Sequence, residues 1–256
     1  MTDSILTTRE LRRYTRQIML PDIGIKGQEK IKQAKVLVIG AGGLGCPVLQ
    51  YLAAAGVGQI TIAEFDKVDE TNLQRQVLYG SGDVGKLKSI IASNRLEQLN
   101  DLIVIAKKNV RIESSNALKI LDGHDIVVDA TDNYATRYII NDACVILNKP
   151  MVHGAIYKYE SQVSVFNYQG GPTYRCYNPL DETIEHRNPP AAEVGLFGVL
   201  PGITGSLMAN EVLKLITGTG DLLSGKVLVF NVSEYSFHLI RIKNIPENHN
   251  IKSLQT

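Results

Sequence analysis

Cysteine is scarce in this chain: Cys46, Cys144 and Cys176 are the only three in 256 residues. So sparse and odd a set excludes a disulfide scaffold and points to a reducing compartment, so a cytoplasmic location is expected. No apolar run reaches the length of a bilayer span, and residues 1–16 lack the apolar centre of a signal peptide. Charge of one sign is also missing. With 27 basic and 26 acidic residues the formal net charge is +1. No global field draws in nucleic acid or an anionic membrane, and neither is expected as a partner. Any anion site must therefore be built locally. The chain has no internal repeat and no low-complexity linker. At 44% hydrophobic and 21% charged residues, its length suits one large α/β core rather than two.

The hydrophobic pattern alternates. Residues 5–32 read as helix and turn, broken at Pro21-Asp22-Ile23-Gly24. Lys35-Val36-Leu37-Val38-Ile39-Gly40 is a short apolar run entering a glycine cluster, the pattern of a strand buried on both faces. A helix over 43–55 and a strand over 59–65 complete a βαβ unit. Helices over 85–99, 114–121 and 134–147 then alternate with strands over 102–106, 125–130 and 151–154. This order predicts a Rossmann-like, mostly parallel sheet with helices on both faces. Strands over 160–168, 226–230 and 237–242, separated by a helix over 202–216, predict a C-terminal antiparallel extension. Residues 178–195, rich in Pro, Asn and charge, read as a long mobile loop. A single domain is expected over 1–243, with a disordered tail over 244–256.

The chemistry begins at Gly40-Ala41-Gly42-Gly43-Leu44-Gly45. Here Gly40, Gly42 and Gly45 have the spacing of a nucleotide-binding turn between strand and helix, with Gly43 alongside. Glycines let phosphate approach the outward N–H groups of the helix end. Glu64, at the end of the second strand, is placed to accept from ribose hydroxyls. This much suits a dinucleotide or ATP. The charges that follow favour ATP, because a departing pyrophosphate needs cations around it. Asp66, Asn72, Arg75 and Lys88 come in close order, and Asp132 and Asn133 lie at the carboxyl edge of the fourth strand. A carboxylate beside a triphosphate is a natural Mg²⁺ ligand, and Asp132 is the candidate. Taken singly, Arg75 and Lys88 read as solvated surface charges and Asp132 as a helix cap.

As a set these stretches resemble the ThiF/MoeB/HesA family of adenylyltransferases, bacterial relatives of ubiquitin-activating enzymes. The resemblance covers roughly residues 13–243. It rests on Arg13-Tyr14-Thr15-Arg16-Gln17-Ile18, the glycine turn, Ala54 to Gly58, Asn72-Leu73-Gln74-Arg75-Gln76 and Asp129-Ala130-Thr131-Asp132-Asn133. It implies ATP and Mg²⁺ as cofactors, with Asn72, Arg75 and Lys88 on the triphosphate and Asp132 on the metal. It also implies a homodimer in which Arg16 enters the neighbouring site. The implied reaction joins AMP to the C-terminal glycine of a small ubiquitin-like sulfur carrier. Adenylation of a short peptide in natural-product synthesis is the alternative, and an NAD(P)-dependent oxidoreductase a weaker one. The sequence departs from the family in two places. Of the two Cys-x-x-Cys zinc pairs only Cys176 remains, so no structural zinc is expected. Pro189 stands where some relatives carry a reactive cysteine, so chemistry is expected to stop at the adenylate.

Overall fold

Strand β1 (Lys35–Ile39) shows why the sheet forms where it does. Val36 and Val38 pack into one hydrophobic cluster and Leu37 and Ile39 into another, so alternate residues feed opposite faces. In the computed structural model, which describes residues 4–180 and 195–254, β1 pairs in parallel with β2 (Gln59–Ala63) and β4 (Ile126–Asp129). Strand β3 (Val104–Lys108) lies outside β2, and β5 (Met151–Tyr157) beside β4. The sheet then turns antiparallel through β6 (Glu160–Phe166), β7 (Lys226–Asn231) and β8 (Ser236–Arg241). The order is β3-β2-β1-β4-β5-β6-β7-β8, as expected for a Rossmann-like sheet with an antiparallel extension.

Three N-terminal helices precede the sheet: α1 (Thr8–Arg13), α2 (Thr15–Ile18) and α3 (Gly24–Gln33). Helices α4 (Gly45–Ala55) and α5 (Lys88–Leu99) follow β1 and β2. Helices α6 (Ala117–Leu121) and α7 (Tyr134–Ile146) cover the other face through Ala117, Ile120, Leu121, Tyr138 and Ile140. A short α8 (Tyr174–Tyr177) leads toward residues 178–195, of which 181–194, most of the expected mobile loop, lie outside the described residues. Helix α9 (Leu200–Thr217) then packs on α4, β5 and β6.

The N-terminal segment is fastened to the body by polar contacts. Gly56 ends α4 in a left-handed turn at φ 88°, and the Tyr14 ring lies where a Cβ would be. The Tyr14 hydroxyl accepts from Asn100 Nδ2 at 2.8 Å. One residue beyond Arg16, Gln17 Nε2 donates to the Ala55 carbonyl and to Gln28 Oε1.

The stretch after β8 differs from the expected disordered tail. It makes a 3₁₀ turn at Pro246–His249, and Leu254 packs on the second cluster. Cys176 holds it. Its sulfur accepts from the Ile245 N–H at 3.4 Å and Asn248 Nδ2 at 3.5 Å, with Thr173 Oγ1 also at 3.5 Å. Burial alone would raise this thiol, but these hydrogen bonds outweigh it and lower the pKa. Burial pushes Cys46 up to about 12 and also raises Cys144. A thiol titration of the native protein at about pH 8 is therefore expected to show one fast group, lost in Cys176→Ser. Comparable rates for all three would contradict this packing.

Candidate active site at the carboxyl edge of the sheet

The chain leaves β1 for β2 on one side and enters β4 on the other, so the connections that follow β1 and β4 diverge beyond their paired ends. Open α/β sheets bind ligands in such a crevice. Here it is a cleft of about 970 Å³. Gly40, Gly42 and Gly43 line it, as do Glu64, Asp66, Asn72, Arg75, Lys88, Asp132 and Asn133. The residues that the sequence spreads over 94 positions thus meet in one space. Gly45, below the turn, does not line it. Arg16 also stands apart: it is exposed on α2, beside a second, smaller hollow with Tyr51 and Leu213.

The glycine turn is shaped for close approach. Gly40 sits at φ 94°, and a Cβ there would meet the Ala130 carbonyl oxygen at 2.7 Å. A Cβ on Gly42 would meet only Gln76 Nε2, at 3.5 Å, so this position faces space. Ala41 between them is clamped at both ends. Its N–H donates to Glu64 Oε2 at 2.8 Å, and its carbonyl accepts from the Tyr79 hydroxyl at 2.8 Å and the Cys46 thiol at 3.4 Å. Burial pushes the Tyr79 phenol well above its ordinary range. Tyr79→Phe should therefore lower unfolding stability by about 1 kcal/mol, read by denaturant melts. The buried Cys46 thiol is thus one of these clamps.

Glu64 is nearly buried and does more than expected. Oε1 accepts from the N–H groups of Phe65 at 2.8 Å and Asp66 at 2.9 Å, while Oε2 holds Ala41. The carboxylate ties the end of β2 to the glycine turn. A carboxylate has about four acceptor positions, so what remains for a ribose lies on Oε2.

The cations stand around this turn. The Arg75 stem lies beside Gly43, its Cδ 3.7 Å from where a Cβ would be, while Nη1 donates to the Thr71 carbonyl at 3.0 Å. Lys88 opens α5 and its side chain is 6% exposed. Its counter-charge, Asp66, is 3.7 Å away and half-exposed, so the ammonium is only partly compensated. A phosphate would complete it. Asn133 Oδ1 accepts from the Thr136 N–H at 2.9 Å and caps α7. Asp132 is therefore not the cap. It is exposed in the cleft, with no hydrogen bond or ion pair to another described residue. That leaves its oxygens open to a hard cation.

Four further residues of this cleft escaped the sequence reading. Gln76 Oε1 and Arg137 Nε are buried without partners among the described residues, and both residues line the cleft. Arg111 lies over the Phe65 ring at 4.4 Å, and Lys158 comes from the β5–β6 turn. Gln76 was in view as the end of a motif. Arg137, one turn into α7, could have been found by noting that this helix starts at the ligand edge.

The ThiF family model matches residues 14–251. The chain belongs to the ThiF family. Among ThiF-family relatives, the "Sulfur carrier protein adenylyltransferase" of Thermus thermophilus is 49% identical, over 94% of this chain and 90% of that protein. The "Probable molybdopterin-synthase adenylyltransferase" of Porphyra purpurea is 44% identical over 91% of this chain and 61% of its own length. This chain spans 54% to 65% of the longer relatives. A solved structure of E. coli MccB with ATP superposes with a TM-score of 0.76 at 27% identity, over 86% of this chain and 67% of that one. Among the described residues no helix is long and apolar enough to cross a membrane.

Proposed function

We propose that this ThiF-family chain adenylates the C-terminal carboxylate of a small ubiquitin-like sulfur carrier ending in glycine, for thiamin- or molybdopterin-type sulfur transfer. The observation that carries this reading is convergence: a glycine turn, partly compensated cations and an uncommitted carboxylate face one cleft. The adenylyltransferase names of the relatives support it, and an oxidoreductase reading gives Arg75 and Lys88 no task. One oxygen of the carrier's terminal carboxylate bonds to the α-phosphorus of ATP. The bond to the bridging oxygen breaks, and pyrophosphate leaves with the electron pair. Backbone N–H groups of the turn hold phosphate, while Arg75 and Lys88 offset the charge gathering on the leaving group. Mg²⁺, when bound, spreads that charge further, and Asp132 would hold it together with phosphate oxygens. Exchange of labelled pyrophosphate into ATP tests the reading. It should require a carrier with a free C-terminal glycine and stop when that carboxylate is amidated. ATP binding without exchange across a panel of such carriers would refute it.

The working unit in this reading is a homodimer. Arg16 is exposed on a helix that Gln17 pins to α4, a rigid base from which to reach a second copy's cleft. Arg16→Ala and Asp132→Asn should each be inactive alone. Co-refolded in equal amounts, they should recover about a quarter of wild-type activity, because half the dimers then hold one intact site of two. A mixture as inactive as its parts would place Arg16 outside the site.

A further inference from the structure

Among the described residues, the most deeply buried histidine–carboxylate pair is one that the proposed reaction does not use. Asp129 ends β4 and is fully buried; His153 is its register partner on β5 and is 2% exposed. His153 Nδ1 donates to Asp129 Oδ2 at 2.7 Å. The other carboxylate oxygen accepts from the Thr131 N–H at 3.0 Å and the Thr131 hydroxyl at 2.6 Å. On the far side of the same residue, Arg137 Nη2 donates to the Thr131 carbonyl at 2.9 Å. The imidazole is itself wedged, 4.9 Å from the Tyr174 ring and 5.8 Å from Phe166.

Burial pushes His153 below its ordinary pKa. Burial would raise Asp129, but its bond from His153 outweighs this and holds it low. A neutral imidazole thus donates to an ionised carboxylate. Taking a carboxylate out of water is costly, and apolar side chains of the same volume would fill this place at less cost. Such side chains could not hold the Thr131 turn. Two residues on, Asn133 is fixed as the cap of α7. Asp132 lies between these two pins and has no side-chain partner among the described residues, so the backbone sets the direction in which its Cα–Cβ bond leaves the chain.

We propose that Asp129 and His153 are a positioning pair: they fix the Thr131 turn and so aim Asp132 at the metal-bound triphosphate. The role given to Asp132 rests on the adenylation reading above. Neither member of the pair lines the cleft, so removing the pair should spoil metal use before it spoils binding of the carrier.

The test compares His153→Leu, which removes the donor, with His153→Asn, whose amide nitrogen stands near the place of Nδ1. Two quantities are read: the gain in ATP affinity on adding Mg²⁺, by calorimetry without any carrier, and kcat and KM in pyrophosphate exchange. For a folded His153→Leu, the Mg²⁺-dependent gain should shrink about tenfold and kcat should fall about 10- to 100-fold, with carrier KM within about twofold. His153→Asn should return to within about threefold of wild type in both. Wild-type behaviour of His153→Leu would overturn the proposal, as would a stable His153→Asn that fails as badly. If His153→Leu does not fold, Thr131→Val, which deletes the hydroxyl bond to Asp129, decides in its place. Loss of the Mg²⁺-dependent gain supports the pair, and wild-type values overturn it. If wild-type protein exchanges with no carrier while these affinities respond as described, the assigned function fails and the positioning pair stands.

Discussion

Asp132→Asn is expected to lower the exchange rate by about 10²- to 10³-fold while leaving the fold intact. The substitution keeps shape and removes charge. Asp132 is exposed and makes no hydrogen bond or ion pair with another described residue, and the cap of α7 belongs to Asn133. The melting temperature should therefore stay close to wild type, as for surface changes worth within about 0.5 kcal/mol. In the proposed reaction the rate would fall because a carboxamide is a poor ligand for Mg²⁺, which, when bound, would offset charge as pyrophosphate departs. Activity within a few-fold of wild type would remove Asp132 from its assigned role.

Two glycines three residues apart should fail in opposite ways. In Gly45→Ala the new Cβ would lie 2.0 Å from the Gly40 carbonyl oxygen and 2.8 Å from the Gly40 carbonyl carbon, both backbone. Neither can retreat without moving the turn that crosses the end of β1. We expect a loss of several kcal/mol in unfolding stability, of the order seen for severe overpacking, and no ATP binding in whatever folds. In Gly42→Ala the Cβ meets only Gln76 Nε2, at 3.5 Å, and the fold should survive. The methyl group instead occupies space that a phosphate needs, so ATP affinity should drop about 10- to 100-fold at an unchanged melting temperature. Thermal unfolding and ATP calorimetry on both variants separate the two. A stable Gly45→Ala that binds ATP would mean that the turn is looser than described.

The parallel half of the sheet was legible because each strand is a short apolar run closed by a turn signal, as Lys35 to Gly40 shows. Boundaries shifted where local chemistry competes with pattern. Helix α4 starts at Gly45 rather than Gly43, because Gly43 belongs to the turn. Strand β5 runs past Gly154 to Tyr157, because β6 pairs with it antiparallel throughout. Those pairings carry no signal within β5 itself. The tail read as disordered because its residues are polar. Its anchor, Cys176, is 69 residues from Ile245 and 72 from Asn248, and no periodicity spans such a gap.

At the site, residue types in a motif were readable and three-dimensional burial was not. Arg75, Lys88 and Asp132 converge as expected. The unpaired atoms of Gln76 and Arg137 become visible only once neighbours are placed. His153 carries no signal in the sequence, because its partner Asp129 is hidden 24 residues away by strand register. Glu64 was read for a ribose alone. Its hold on Ala41 depends on how the ends of β1 and β2 lie together.

The central claim is that this cleft directs a carboxylate to the α-phosphorus of ATP. Oxygen tracing tests it most directly. A carrier labelled with ¹⁸O in its terminal carboxylate is turned over with ATP and a nucleophile, and the nucleotide and phosphate products are analysed by mass. Attack at the α-phosphorus places one ¹⁸O in AMP and none in pyrophosphate. Label found in inorganic phosphate, with ADP as the nucleotide product, would put the attack at the γ-phosphorus and contradict the account.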